Sequence, residues 1–211
     1  MNLSIDSGGT FTDIVIEQNG CFETCKLPSN DSEPYKPVVE FLERSKKKYN
    51  YFVNGTTVAT NSILQHRGAK TCLITTHGFR DLIKIKRQSR ADLYCLFPKK
   101  EKSFLTKIEV RTIKERTESD GRISFKPLKK DIDKLKAKII RNRIEVIAIC
   151  LINSFVNPKN EKILKNSLKS IGIPIYISSE LNQQIKEYER SVTISANAFI
   201  SKKLNEYINQ V

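Results

Sequence analysis

Long apolar runs are missing from this sequence. No stretch approaches the roughly 20 apolar residues that a membrane-spanning helix needs, and the charged Asp6 so near the start argues against a signal peptide. Low-complexity linkers and internal repeats are also missing. With an apolar fraction of 39% and a charged fraction of 28%, the 211 residues predict a globular protein of one large or two small domains, with no membrane partner.

Metal-ligand patterns are scarce as well. The two histidines, His66 and His77, have no partner at ligand spacing, and Cys21 and Cys25 lack the second pair that a zinc site requires. We therefore predict no zinc site. The five cysteines form an odd set, and two of them fall in apolar segments. This usage suits free thiols in a reducing compartment, so we expect a cytoplasmic location.

The net charge of +14 raises the question of a nucleic-acid partner. Much of the positive charge comes from lysines that are spread along the chain, for example at residues 46–48, 129–130 and 134–138. No recognisable DNA- or RNA-binding motif accompanies them. We attribute the charge to a general compositional bias and expect no nucleic-acid partner.

The stretch at the start of the chain organises the interpretation of the rest. Residues 2–16 place apolar and β-branched residues on both sides of Gly8 and Gly9, which predicts a β-hairpin with a tight turn. Such a turn exposes backbone N–H groups that can hold an anion, and a carboxylate beside it, Asp6, could hold Mg²⁺ against a polyphosphate. The hydroxyl residues Thr10 and Thr12 open the second strand. A glycine hairpin with a solvated aspartate fits the same residues, so both interpretations stay open.

This hairpin differs from the two common glycine-rich phosphate loops. No lysine follows the glycines, as a Walker A loop would require. A strand follows them, whereas a dinucleotide-binding turn continues directly into a helix. Phosphate binding by a hairpin is a third solution, used by the ATPase class that includes actin, hexokinase and the heat-shock chaperones.

A second stretch combines a strand, a glycine and paired threonines. Residues 51–53 predict a short buried strand, and Gly55, Thr56 and Thr57 lead into a helix over residues 58–66. A helix N-terminus of this kind can hold an anion. Alternatively, one of the threonines only caps the helix.

A basic cluster follows the strand that is predicted over residues 70–76. Its members are Lys84, Lys86, Arg87 and Arg90. Such a cluster could face phosphate or carboxylate, and it also fits a solvated basic surface.

Elsewhere, strands and helices alternate. Residues 20–27 predict a third strand, and Ser32 is expected to cap a helix with Pro34 in its first turn. Strands are predicted over residues 70–76, 109–115, 122–125, 145–152 and 173–178, with a turn at 119–121 joining 109–115 to 122–125. Helices are predicted over residues 128–141, 158–170 and 187–208. Early hairpins followed by this alternation predict an α/β fold with a mixed sheet.

Several short stretches together resemble one family. They occur in this order: Asp-Ser-Gly-Gly-Thr-Phe-Thr-Asp at residues 6–13, Gly-Thr-Thr-Val-Ala-Thr-Asn at 55–61, Arg-Gly-Ala-Lys-Thr at 67–71, Thr-Thr-His-Gly-Phe-Arg-Asp at 75–81, Arg-Gln at 87–88, Asp-Leu-Tyr at 92–94, Asn-Pro at 157–158 and Glu-Tyr-Glu-Arg at 187–190. By these stretches, nearly the whole chain resembles the N-terminal region of the hydantoinase A/oxoprolinase family, which includes the ATP-using acetone carboxylase β-type subunits.

The resemblance implies a fold, a cofactor and a chemistry. The fold is an actin-like ATPase (ribonuclease H-like) lobe, one of two lobes that close over ATP. Asp6 would lie near Mg²⁺, and the turn from Gly8 to Thr12 would hold the β- and γ-phosphates. The cofactor-binding residues that it implies are Asp6, Gly8, Gly9, Thr10, Thr12, Asp13, Thr56, Thr57 and Arg87. ATP would phosphorylate an amide or carboxyl-type oxygen, so that a lactam opens or a carboxylation proceeds.

Two departures from the family bear on activity. Members usually continue for several hundred residues, so we expect residues 1–211 to form the first lobe as one N-terminal domain. This lobe would need a second lobe or partner subunit to act on a small cyclic amide or ketone. Members also often carry histidine where this chain has Asn54, Asn153 and Ser179, and asparagine cannot shuttle a proton. A non-catalytic remnant or assembly module of the same fold is the alternative.

Overall fold

The structure, a computed structural model, describes residues 1–30, 33–88, 94–96 and 103–211. Ser32, Arg90, Asp92 and Leu93, which entered the predictions above, lie outside these residues. The chain divides into two compact units: the first unit is Met1–Gly68 with Ile200–Val211, and the second unit is Ala69–Phe199. Among the described residues, no helix combines the length and the hydropathy that crossing a bilayer requires.

A four-stranded mixed sheet forms the base of the first unit. Its elements are β1 (Asn2–Ser7), β2 (Phe11–Gln18), β3 (Cys21–Pro28), α1 (Lys36–Ser45), β4 (Tyr51–Thr56) and α2 (Val58–Leu64). The strand order across the sheet is β3-β2-β1-β4. The pairs β1–β2 and β2–β3 are antiparallel, whereas β1 and β4 are parallel. The predicted N-terminal hairpin and third strand are therefore confirmed.

One face of this sheet carries the core of the first unit. Leu3 and Ile5 alternate with polar residues along β1, and their register partners on β2 are Ile16 and Ile14, so the four side chains share a face against which Val38 of α1 packs. Helix α1 begins two residues later than Pro34, which was predicted to lie in its first turn. The helix still opens with a proline, as first turns tolerate.

Strand β4 contradicts the prediction of a buried strand. Tyr51, Phe52 and Val53 are all exposed, although they are aromatic or β-branched. Their strand lies at the edge of the sheet and pairs only with β1 among the described strands. Sequence pattern alone does not distinguish an uncovered edge strand from a buried one.

The second unit is an α/β layer structure around a parallel sheet. Its strands and helices are β5 (Thr71–Thr76), α3 (Leu82–Ile85), β6 (Glu109–Ile113), β7 (Arg116–Thr117), β8 (Ile123–Phe125), α4 (Lys129–Arg141), β9 (Val146–Cys150), α5 (Lys159–Leu168), β10 (Ile175–Ile177), α6 (Ser178–Leu181) and α7 (Glu187–Gln210). Short 3-10 turns occupy Phe104–Lys107 and Lys169–Ile171. Helix α7 ends in the first unit.

All strand pairs of the main sheet in the second unit are parallel, in the order β10-β9-β5-β6. Strands β5 and β9 are fully buried, as a covered parallel sheet requires. Ile132 and Leu135 of α4 and Leu164 of α5 share one core cluster with the sheet. From β5 the chain continues to β6 on one side of the sheet, and from β9 it continues to β10 on the other side. The order in which strands are added therefore reverses between β5 and β9, which makes this a topological switch point.

The predicted hairpin around residues 119–121 is only partly right. The first predicted strand, β6, pairs in parallel with β5 instead of returning to β8. A separate two-residue strand, β7, makes the antiparallel pair with β8 across the turn. Long-range pairing within the parallel sheet therefore overrides the local turn signal.

The five cysteines are free thiols. Cys72 and Cys150 are buried in β5 and β9, as expected from their apolar neighbours. Burial raises the pKa of the Cys72 thiol to about 12 and also raises the pKa of Cys150. Both side chains are therefore protonated packing residues and not nucleophiles.

Candidate functional site

The turn between β1 and β2 is tight at its first glycine. The backbone N–H of Gly8 donates to the carbonyl oxygen of Phe11 over 3.0 Å. A Cβ atom added to Gly8 would lie 2.8 Å from that same oxygen. Since real Cβ atoms do not approach that closely, the turn in this form requires glycine at position 8.

The tip of the turn offers unused donors. Gly9 and Thr10 are exposed, and their backbone N–H groups donate to no acceptor within the described part of the chain. A Cβ atom on Gly9 would lie 3.0 Å from the side-chain nitrogen of Asn61, so this side of the turn is also closely approached. Adjacent free N–H groups of this kind form an anion-binding concavity.

Asp6 lies one residue before the end of β1. Its register partners are Asp13 on β2 and Gly55 on β4. A Cβ atom on Gly55 would lie 3.2 Å from Asp6 Oδ1, so the glycine leaves room for the carboxylate. Asp6 is exposed and makes no ion pair with any described residue, whereas Asp13 pairs with Lys26 over 3.1 Å. Of the register partners Asp6 and Asp13, Asp6 is therefore the carboxylate that remains available to a cation.

The two threonines after β4 are both engaged by the protein. Thr56 Oγ1 accepts from the N–H of Val58, the first residue of α2, over 3.2 Å, whereas the N-cap residue, Thr57, makes no side-chain cap bond. The backbone N–H and the hydroxyl of Thr57 donate to the carbonyl oxygen of Ser7, over 3.0 and 3.3 Å. Thr57 therefore joins α2 to the end of β1, beside the glycine turn.

Thr12 is the one threonine of the hairpin that is fully buried. Its hydroxyl lies 3.0 Å from the hydroxyl of Ser29, and the N–H of Ser29 donates to the carbonyl oxygen of Thr10 over 2.9 Å. These bonds fasten the segment after β3 to the base of the turn. The buried side chain of Thr12 stabilises the hairpin through its bond to Ser29, while Thr10 is exposed.

Tyr207 is a part of this region that sequence reasoning missed. Its hydroxyl lies 2.9 Å from Ser7 Oγ and donates to Asn54 Oδ1 over 3.0 Å. Asn54 is one of the positions where family members often carry histidine, and here it is a structural acceptor. No local pattern links residues that are 153 or more positions apart, so only the tertiary structure brings them together.

Arg87 belongs to the second unit. It forms an ion pair and a hydrogen bond with Glu189 at the start of α7. The hydrogen bond from Arg87 lowers the pKa of the Glu189 carboxyl. Within the described residues Arg87 is therefore placed by a carboxylate of its own unit.

A buried polar network that the sequence analysis did not identify lies at the carboxyl ends of β9 and β10. Glu161 and Arg190 are both fully buried. Glu161 Oε1 accepts from Ser154 Oγ over 2.8 Å and from Ser178 Oγ over 2.6 Å, and Arg190 donates to both of these serines. The N–H of Ser179 donates to Glu161 Oε2 over 3.0 Å. Both residues lie in polar stretches at the starts of α5 and α7, so no local pattern indicates that they are buried.

A second buried carboxylate, Glu115, adjoins the same edge of the sheet. Thr76 donates to its Oε1, and Asn160 donates to its Oε2 over 2.7 Å. Burial raises the pKa of Glu115, and these two hydrogen bonds oppose that shift. Asn153, another position where relatives often have histidine, donates from its amide to the carbonyl oxygen of Thr117 over 2.9 Å. Glu115 and Asn153 are thus engaged by hydrogen bonds within the protein, while Asn160 Oδ1 is buried with no hydrogen-bond partner among the described residues.

The raised pKa of Glu115 predicts a pH dependence of stability. The contribution of its protonated form is fully present below the ordinary pKa of 4.5 and is lost as the pH rises through the raised value. In Glu115→Gln this loss should vanish, because the side chain stays neutral. Urea unfolding of both proteins from pH 4 to pH 8 measures the difference in unfolding free energy. Glu118→Gln is the control, and parallel curves for all three proteins would contradict the prediction.

Comparison with known proteins places the chain in a family. Residues 2–172 match the hydantoinase/oxoprolinase N-terminal region. The chain belongs to this family. An uncharacterized protein of Methanocaldococcus jannaschii is 32% identical over 98% of the chain, and 5-oxoprolinase 1 of Arabidopsis thaliana is 26% identical over 99%. The chain spans about a third of the first relative (32%) and a fifth of the second (19%). The predicted family is confirmed.

Two solved structures have the same fold. The ATP-dependent caprolactamase of Pseudomonas jessenii matches 100% of the chain with a TM-score of 0.82 and 24% identity. A nucleotide-free acetone carboxylase matches 99% of it with a TM-score of 0.81 and 21% identity. In each case the match covers about a third of the other chain, 33% and 34%. The predicted α/β fold class with a mixed sheet is confirmed.

Proposed function

We propose that this chain is the N-terminal, ATP-binding lobe of an ATP-dependent enzyme of the hydantoinase/oxoprolinase type. The observation that carries the proposal is the β1–β2 turn, where the N–H groups of Gly9 and Thr10 follow the carboxylate of Asp6 and neither these groups nor Asp6 have a partner among the described residues. The ATP dependence of two enzymes with the same fold supports it. Residues 1–211 act in this proposal as one lobe, made of the two units.

The residues present fit a nucleotide polyphosphate. The required glycine at position 8 keeps the turn tight, and the exposed N–H groups at its tip supply anion donors without side chains in front of them. Thr10 contributes the exposed hydroxyl. Thr12, Thr56 and Thr57 hold the turn in place through their own bonds, and direct contacts of theirs with nucleotide stay a prediction.

Asp6 fits a magnesium ion held together with a polyphosphate. Among the described residues, no three histidine, cysteine or acidic side chains form a cluster that could hold a metal ion alone. Mg²⁺ does not need such a cluster, because it is commonly bound by one or two carboxylates, substrate phosphates and water. We assign Asp6 to this role and Asp13, with its partner Lys26, to the support of the strand.

ATP bound here would supply a phosphoryl group that turns an amide or carboxyl oxygen into a good leaving group. The chain's own contribution is positioning and charge stabilisation, through the turn and Asp6. A second lobe or partner subunit and a small cyclic amide or ketone are part of the proposal. The relatives are longer, and the names of the two similar enzymes point to a lactam and a ketone. The cytoplasmic location expected from the free thiols is also part of the proposal.

The test is an assay of the complex that the native chain forms. We expect the purified complex to release ADP from Mg-ATP in the presence of 5-oxoproline, caprolactam or acetone. Gly8→Ala should raise the KM for ATP at least about tenfold, because its Cβ atom must displace the carbonyl group of Phe11.

Gly20→Ala is the matched control in the next turn of the same sheet. Its Cβ atom meets nothing within 4 Å, so the strain of its positive φ costs stability without touching the β1–β2 turn. A complex that contains both lobes and binds no ATP, or a Gly8→Ala variant with an unchanged KM, would contradict the proposal.

A non-catalytic assembly module is the second candidate. It is favoured by the positions where relatives often have histidine: Asn54 and Asn153 are occupied by structural hydrogen bonds, and Ser179 is buried. Detection of ATP-dependent turnover in the same assay decides against it.

A further inference from the structure

A groove on the second unit lies between strand β6 and helix α4. Its volume is about 290 Å³, near the lower end of the range for small-ligand sites. The turn after β5 contributes to the lining as well. The backbone N–H of His77 in this turn donates to the carbonyl oxygen of Ile113 over 2.9 Å, which holds the turn against the end of β6. The groove is therefore built by three segments of one unit.

The lining of this groove is strongly basic. Asp131 is the one carboxylate in the described lining, and it lies in the first turn of α4, where it complements the helix dipole. Five cationic side chains accompany it: Arg80, Arg111, Lys114, Lys134 and Lys138. The groove is therefore an electropositive concavity, which raises the local concentration of anions.

Most of these cations have no acidic partner. All except Arg111 are exposed, and they form no ion pair with any described residue. Lys134 and Lys138 are four residues apart, so they are neighbours on the surface of α4, where like charges destabilise a helix. An anion bound between them would offset this repulsion.

Arg111 is oriented by the protein, unlike the lysines. Its Nε donates to Glu109 Oε1 over 2.6 Å, and the same oxygen accepts from the amide of Asn142 over 2.9 Å. The side chain of Arg111 is only 27% exposed. Its two terminal nitrogens donate to no acceptor in the part of the chain that the structure describes. A guanidinium held through Nε keeps the pair of donors that matches a phosphate or carboxylate group.

We infer that this groove binds a compact anion that carries two or more phosphate or carboxylate groups. Arg111 supplies the oriented contact, and Lys134 and Lys138 supply the charge around it. A nucleic-acid strand is a poorer fit, because such strands stack on aromatic side chains along an extended groove, and no described aromatic side chain lines this one. The site lies within the second unit and does not depend on the proposed function.

Lysines at an edge strand have a second explanation, which is protection against edge-to-edge association. Strand β6 is such an edge, since among the described strands it pairs only with β5. Edge protection requires charge alone. It does not require an arginine that is half-buried and held by Glu109. The two explanations differ in whether an anion binds at these residues.

Calorimetric titration of the full chain at 150 mM salt tests the inference. The probes are inorganic tripolyphosphate and citrate, and the stronger of the two identifies the preferred acid group. Lys134→Ala/Lys138→Ala should weaken binding of that probe at least about tenfold, because it removes two charge-assisted contacts. Both lysines are exposed, so the variant keeps its packing. Lys47→Ala/Lys48→Ala removes the same charge from an exposed stretch outside the groove and should leave the affinity unchanged.

Three results of the titration would overturn the inference. The first is that neither probe binds. The second is equal affinity in the native chain and both variants, or an equal loss in both variants, since the anion would then respond to net charge or bind elsewhere. The third is tighter binding of a mixed-sequence 20-nucleotide RNA with the same dependence on Lys134 and Lys138. Tripolyphosphate held at the β1–β2 turn would keep its affinity in Lys134→Ala/Lys138→Ala, so the two sites are distinguishable.

Lysine protection gives a measurement that needs no variant. The native chain is acetylated with limiting acetic anhydride, with and without the stronger probe, and the modified lysines are quantified by mass spectrometry. We expect the probe to slow acetylation of Lys114, Lys134 and Lys138 at least about threefold and to leave Lys47 and Lys48 unchanged. Unchanged acetylation at the three groove lysines would overturn the inference.

Discussion

Glu161→Ala should lower the free energy of unfolding by about 3–5 kcal/mol. The carboxylate of Glu161 is fully buried and accepts from the N–H of Leu151 over 3.0 Å as well as from Ser154 and Ser178. Its removal would leave these donors without their acceptor and the buried guanidinium of Arg190, 3.9 Å away, without its main counter-charge. Urea unfolding followed by far-UV circular dichroism measures the loss.

The control for this effect is an exposed ion pair in the same unit. Glu180 pairs with Lys165 over 2.6 Å but is half-exposed, so Glu180→Ala should cost less than about 1 kcal/mol. Glu161→Gln keeps the shape of the side chain and one acceptor, and it should fall between the two alanine variants. It also provides a folded sample if Glu161→Ala does not accumulate. Equal losses for Glu161 and Glu180 would show that the buried network does not stabilise the second unit.

Asp6→Ala should lower the turnover of Mg-ATP by the assembled enzyme at least about 100-fold. A metal ion that neutralises phosphate charge supplies several kcal/mol of transition-state stabilisation, and each 1.36 kcal/mol is about a factor of ten in rate. Asp6 is exposed on β1, so its replacement removes the proposed metal ligand and no packing. ADP release at increasing Mg²⁺ concentrations is the measurement, and the variant should need more metal for any residual rate.

Asp133→Ala is the matched control, since Asp133 is an exposed acid on α4 in the second unit. It should leave turnover unchanged. An Asp6→Ala enzyme that turns over ATP at the normal rate and with the normal metal dependence would remove Asp6 from the phosphate site, whatever the fold. The unfolding free energy of Asp6→Ala, measured in parallel, separates a loss of turnover from a loss of structure.

Much of the local structure could be predicted because it depends on local periodicity. Apolar and β-branched residues on both sides of the glycine turn predict β1 and β2, and helical spacing around Ile132 and Leu135 predicts α4. Gly8 could be identified as a turn residue from the glycine pair. The structure gives the reason for glycine there, since a Cβ atom at position 8 would clash with the carbonyl oxygen of Phe11. These features need no information about distant residues.

Other features depended on partners that local patterns do not name. Strand β6 was expected in a hairpin with β8, but its place beside β5 is set by burial in the parallel sheet. The apolar residues of β4 looked like core, and only the sheet order shows that they lie at an edge. The buried pair of Glu161 and Arg190 could not be recognised, since nothing in the sequence shows that these two charges meet.

The sequence by itself determined the hairpin, the glycine turn with Asp6 beside it, the α/β class and the family. Each of these follows from short-range pattern or from stretches of residues in a fixed order. The tertiary structure alone decided that Asp6 lies against Gly55, that Thr57 fastens α2 to Ser7, and that Tyr207 joins Ser7 to Asn54. The physical reason is that contacts between distant segments depend on how strands pair and which faces are covered, and these are properties of the whole fold.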